Sequence, residues 1–102
     1  THGKNAESAQ FLMNQALALQ AAGVFAIVLE CIEKEVAKSI SQKLSIPTIG
    51  IGSGHDTDGQ VLVINDLFKM GSNYPPSFCK PIVDLYQLKK ELIEKYLKGE
   101  CE

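Results

Sequence analysis

The sequence contains no arginine and no tryptophan; its ten cationic side chains are all lysines. Without arginine there is no planar fork to clamp a phosphate or carboxylate through two parallel bonds. The formal net charge is -2, so the chain also lacks the broad basic face of a nucleic-acid binder. No apolar run approaches the roughly 20 residues that span a bilayer. No charged-then-apolar signal peptide opens the chain. These absences exclude nucleic-acid and membrane partners from the reading and point to a cytoplasmic location. The three cysteines, Cys31, Cys79 and Cys101, show neither CxxC nor Cys/His ligand spacing. They read as reduced thiols. Cys31 stands beside Glu30, and a neighbouring carboxylate disfavours the thiolate a nucleophile needs. His2 and His55 are too far apart in sequence to suggest a metal pair. His55 reads as a polar loop residue.

What is present is apolar and patterned. The chain has 102 residues, of which 45% are hydrophobic, enough for one small core. Thr1 is not an initiator methionine, so the chain is expected to begin inside a larger protein. Residues Asn5 to Ala22 read as a helix, with Ala9, Leu12, Met13, Ala16 and Leu19 on one stripe. Gly23 stands where a helix C-cap glycine belongs. Val24 to Leu29 reads as the first strand. A second helix carries Ile32, Val36, Ile40 and Leu44 at intervals of four. Pro47 ends it and biases Ile46 away from helix.

Thr48 to Ile51 reads as the second strand, followed by a glycine-rich loop that contains Gly52, Ser53 and Gly54. Val61 to Ile64 reads as the third strand, ending in Asn65-Asp66. A proline-containing loop runs from Lys69 to Pro81, with Tyr74-Pro75-Pro76 read as a packed surface loop. The last helix starts at Asp84, with Gln87 three residues on, as in a capping box. Leu85, Leu88, Leu92 and Tyr96 form its expected buried stripe.

The order α-β-α-β-β-α, with strands apolar on both faces, suggests a parallel sheet covered by helices. One step is awkward. Only nine residues, Gly52 to Gln60, join the second and third strands, whereas a parallel crossover normally takes a dozen or more. Either a short helical turn fills the loop or the pair is antiparallel. Three strands also leave open edges, which calls for further strands from outside this sequence.

The most informative stretch is Ala26-Ile27-Val28-Leu29-Glu30-Cys31. Its strand delivers an acid, Glu30, into a strand-to-helix turn. In α/β folds the ligand cleft lies outside the carboxyl ends of the strands. A carboxylate there is a candidate general base; the plainer role is a capping or salt-bridged acid at a helix start.

Three runs together resemble one family. They are Val28-Leu29-Glu30-Cys31-Ile32, then Ile46-Pro47-Thr48-Ile49-Gly50-Ile51-Gly52-Ser53-Gly54, then Asp58-Gly59-Gln60-Val61-Leu62-Val63. With Asn65-Asp66-Leu67 and Pro76-Ser77-Phe78-Cys79-Lys80, they resemble ketopantoate hydroxymethyltransferase (3-methyl-2-oxobutanoate hydroxymethyltransferase). The resemblance runs nearly the whole length but covers only the C-terminal part of that enzyme. It implies that residues 1–102 are the C-terminal fragment of a single TIM (β/α)8 barrel domain, about three strands with flanking helices. The N-terminal half would be absent.

The resemblance also implies a reaction. A one-carbon unit passes from 5,10-methylenetetrahydrofolate to 3-methyl-2-oxobutanoate, giving ketopantoate on the pathway to pantothenate. Mg²⁺ would chelate the keto acid. Glu30 would be the base, within an aliphatic wall such as Val28 and Ile32. The family's metal-binding acids, its substrate lysine and its histidine belong to the other half of the barrel. No metal ligand is assigned here, and Asp56, Asp58 and Asp66 match none of those positions. The fragment alone is expected to be inactive, and a decameric assembly is implied for the whole enzyme. Two departures stand out: Glu33 where proline is frequent, and Asn65-Asp66 where many members read His-Asp.

A different reading takes the Gly50 to Gly54 loop as the phosphate cradle of a small α/β phosphate- or nucleotide-binding module. The loop lacks the lysine and spacing of a P-loop. Gly50, Gly52 and Ser53 are better taken as shaping a pocket floor through close backbone approach.

Overall fold

The computed structural model describes residues 1–99, and Cys101 lies outside them. The elements run α1 (Ala6–Ala21), β1 (Ile27–Glu30), α2 (Lys34–Lys43), β2 (Thr48–Ile51), β3 (Gly59–Gln60), α3 (Ile64–Leu67) and α4 (Leu85–Leu97). They fall into two compact units that divide between Val61 and Leu62.

In the first unit, β1, β2 and β3 form a parallel sheet in that order. α1 starts at Asn5, whose side chain accepts from the Ser8 N–H at 2.8 Å. This satisfies a donor that the helix itself leaves free. Past the other end, Gly23 takes φ 95, a left-handed value that a side chain resists. The four residues expected on the second helix all reach the core, but only Val36 and Ile40 do so from within α2; Ile32 precedes its start and Leu44 caps its end. On α1, Leu12, Met13, Ala16 and Leu17 meet the core, whereas Leu19 is exposed. Both helices cover the sheet face that carries Ile27 and Leu29.

The expectation of strands buried on both faces fails for β1. Its burial alternates, with Ile27 and Leu29 inside and Val28 60% exposed. The helices cover only one face, so period two decides which apolar side chains are hidden.

The β2–β3 pair is parallel, with Ile49 opposite Gly59 and Gly50 opposite Gln60. No helix fills the connection. β2 has four residues, so its length is about 13 Å. The seven residues Gly52 to Asp58 can reach about 23 Å when extended. The chain therefore runs back along so short a strand without a crossover helix. It is fastened at the start of β2. There the Asp58 carboxylate accepts from the Thr48 N–H at 2.8 Å and its hydroxyl at 3.2 Å. Thr48 is fully buried, and Ser41 Oγ lies 2.7 Å from Thr48 Oγ1. Asp58→Asn keeps one acceptor but loses the charge. It is expected to lower unfolding stability by about 1 kcal/mol, read from the urea midpoint of the full-length protein.

The third strand lies earlier than its composition suggests. Only Gly59 and Gln60 pair as β3, and Val61 adds one bond, to the Gly50 carbonyl. Leu62 and Val63 belong to no element, and Ile64 starts the short helix α3. β-branched residues favour a strand only where a partner strand covers them. Among the described residues β3 pairs with β2 alone, and Val61 to Ile64 are exposed.

In the second unit, Asp84 caps α4 by accepting from the Gln87 N–H at 2.9 Å. The Gln87 side chain turns to Glu91 instead, so only half of the expected capping box forms. The stripe on α4 is not buried: Leu88, Leu92 and Tyr96 are exposed and Leu85 is half-buried. Nothing in residues 62–99 is large enough to cover it, since α3 has four residues. Tyr74 is 91% exposed, so the proline loop does not pack through that ring. Lys69 takes φ 46. Its ammonium lies 3.5 Å from Asp84 and within 5.6 Å of the Tyr74 and Tyr86 ring centres. Among the described residues no helix is long and apolar enough to cross a membrane.

Candidate functional site

The candidate site lies at the carboxyl end of the parallel sheet. β1 ends at Glu30, whose side chain is exposed on the sheet face away from the helices. Parallel register puts Val28 beside Ile49 and Glu30 beside Ile51. Partners in register share a face, with strands about 4.8 Å apart. Glu30 therefore stands on an aliphatic face made by Val28, Ile49 and Ile51. Among the described residues no ion-pair partner meets its carboxylate.

The expected aliphatic wall is half right. Val28 shares the face of Glu30, but Ile32 does not. Simple alternation would have placed Ile32 there. Cys31 intervenes with φ 52, a left-handed value that is uncommon outside glycine. The chain turns at that point, and Ile32 enters the core at 7% exposure. Ile51 takes its place on the wall. Sequence reasoning missed Ile51 because only the register of β1 on β2 pairs it with Glu30.

The turn after Glu30 is tied on every side. The Cys31 N–H donates to the Ile51 carbonyl at 2.9 Å. The His2 N–H donates to the Cys31 carbonyl, and the Glu33 N–H to the His2 carbonyl, each at 2.7 Å. The Ile32 N–H donates to the Ser53 hydroxyl at 3.0 Å. That hydroxyl donates in turn to the Leu29 carbonyl at 2.8 Å.

The other loop residues serve this packing. Gly50 lies opposite Leu29, on the core side of β2. A Cβ there would come 2.7 Å from Thr57 Oγ1 and 3.1 Å from its Cγ2. The missing side chain lets the returning loop press onto the strand. Gly52 and Gly54 both have left-handed backbones, φ 67 and 81, on either side of Ser53. Ser53 itself is buried, its hydroxyl committed to Leu29 and Ile32. Thr57, the other hydroxyl of the loop, donates to the Gly59 carbonyl, so both hydroxyl protons are spent within the protein rather than left for a phosphate. His55 Nδ1 lies 2.9 Å from the Gln60 side-chain amide. Cys31 is half-buried and Cys79 buried, and both are free thiols. Among the described residues no group of three or more His, Cys, Asp or Glu could hold a metal ion.

These features define an α/β protein with a parallel sheet and a carboxylate, that of Glu30, at the end of its first strand. The ketopantoate hydroxymethyltransferase family model matches residues 1–100, and the chain belongs to that family. A 3-methyl-2-oxobutanoate hydroxymethyltransferase of Pseudothermotoga lettingae is 50% identical over 95 residues, 93% of this chain. Proteins of the same name from Francisella tularensis subsp. novicida and Leptospira interrogans are each 46% identical over 96 residues, 94% of this chain. The chain spans 36% of the length of each of these three relatives.

Proposed function

We propose that the protein carrying this chain transfers a one-carbon unit from 5,10-methylenetetrahydrofolate to 3-methyl-2-oxobutanoate, giving ketopantoate for pantothenate synthesis, with Glu30 as the proton acceptor. The observation that carries the reading is the placement of Glu30. It is the one acid on an aliphatic sheet face, at the strand end where α/β enzymes bind ligands. In this reading the sheet belongs to a (β/α)8 barrel completed by residues outside this chain. The barrel would also cover the open sheet edge.

The chemistry asked of Glu30 is proton abstraction next to a ketone. Its carboxylate takes the proton from C3 of the keto acid. The C–H electron pair moves into the C2–C3 bond, and the ketone π pair moves to oxygen. Water adds to the folate-bound one-carbon unit and its C–N bonds break, releasing tetrahydrofolate and formaldehyde. C3 of the enolate adds to that carbonyl carbon, and the alkoxide so formed takes up a proton to become the hydroxymethyl group. Val28 and Ile51 suit this step, since an aliphatic wall accommodates a branched carbon chain and thins the water around the base. The Mg²⁺ that the resemblance implies finds no ligand set among the described residues, so no step is assigned to it here. The decamer implied for the whole enzyme likewise belongs to this proposal.

The test is proton exchange at C3 of the keto acid, followed by NMR in deuterated water without folate. The full-length protein is expected to catalyse exchange and, with the folate added, to form ketopantoate. A correctly folded full-length protein that does neither overturns the reading.

A further inference from the structure

We infer that Ser53 is a positioning residue for Glu30, holding the backbone on both sides of the base; this rests on the reading of Glu30 above. Ser53 is 2% exposed, and it lies 24 and 21 residues from its two partners. A serine hydroxyl has one proton to give and lone pairs to accept with. Here the proton goes to the Leu29 carbonyl, the residue before Glu30. A lone pair takes the Ile32 N–H, two residues after it. One buried group thus brackets Glu30 and Cys31.

The bracket has a specific task. Cys31 sits in the left-handed region at φ 52, where a residue with a Cβ persists only if its surroundings hold it. The hydroxyl is the only partner of the Ile32 N–H in the described structure. Without that acceptor, a buried donor is left unpaired at the point where the chain turns. The turn then relaxes toward ordinary dihedral angles, and the Cα–Cβ direction of Glu30 swings with it. Gly52 and Gly54, left-handed on either side, are what let Ser53 dip inward to reach both partners. At Gly54 a Cβ would also come 2.7 Å from Lys34 Cβ.

The experiment compares four variants of the full-length enzyme. Ser53→Ala is expected to slow C3 exchange about tenfold, because small displacements of a reacting group are costly. Its keto-acid dissociation constant should stay within about twofold of wild type. Ser53→Cys, with a weaker hydrogen-bonding group of similar shape, should show an intermediate loss and keeps the test open if the alanine variant does not fold. Ser41→Ala is the control. It removes a half-buried hydroxyl at the opposite end of β2, and should lower stability while leaving exchange unchanged. Exchange by Ser53→Ala and Ser53→Cys within twofold of wild type overturns the positioning role. So does an equal loss in Ser41→Ala. Glu30→Gln separates the two claims: exchange surviving there removes the base itself, whereas exchange lost there but intact in the Ser53 variants removes only the role of Ser53.

Discussion

Glu30→Gln in the full-length protein is expected to slow C3 proton exchange about 10³-fold, within the range that a positioned general base contributes. The amide matches the carboxylate in size and shape, so the turn and its bonds should survive. What disappears is the basicity: the amide oxygen keeps its lone pairs but holds a proton far too weakly to take one from carbon. Binding of the keto acid should change little, because Glu30 sits among aliphatic neighbours and has no ion-pair partner among the described residues. The loss should therefore fall on the rate constant and leave the dissociation constant near its wild-type value. Exchange at the wild-type rate would end the assignment. Binding and exchange lost together would make Glu30 a substrate-holding group instead.

The second large effect concerns Gly50. Gly50→Ala is expected to destabilise the full-length protein by about 2 kcal/mol. The new methyl group meets Thr57 Oγ1 at 2.7 Å and Cγ2 at 3.1 Å, while Thr57 Cβ stays at an ordinary 3.4 Å. Thr57 cannot simply rotate, because its hydroxyl donates to the Gly59 carbonyl at 2.8 Å. Truncating it should make room. Gly50→Ala with Thr57→Ala is expected to recover about 1 kcal/mol relative to the sum of the single changes. Urea midpoints of the four proteins give the coupling. Additive effects would show that the return loop does not press on the strand.

The three longer helices were legible because their signals are local; the four-residue α3 was not. Residues 5–22 carry an apolar stripe at three- and four-residue spacing, Gly23 follows that helix directly, and a second stripe repeats every four residues from Ile32. Glu30 was legible for a similar reason: an apolar run ends in an acid, and a helix begins soon after. The third strand was not. Val61 to Ile64 has strand composition, but composition cannot say whether a partner strand stands on each side. The stripe of α4 failed in the same way, since amphipathicity says that a face wants cover and not whether cover is there.

The amino-acid sequence alone determined that this is an α/β chain, roughly where its three longer helices lie, which strand carries the acid, and its family. Those properties depend on spacings of a few residues. The tertiary structure decided which side chains share a face with that acid. Ile51 stands beside Glu30 because two strands pair in one register, and Ile32 leaves that face because Cys31 adopts a left-handed turn. Ser53 reaches Leu29 and Ile32 only after the chain has returned across the sheet. Such contacts join residues 20 or more positions apart, and no local pattern encodes them; they arise when buried polar groups find partners in the packed chain.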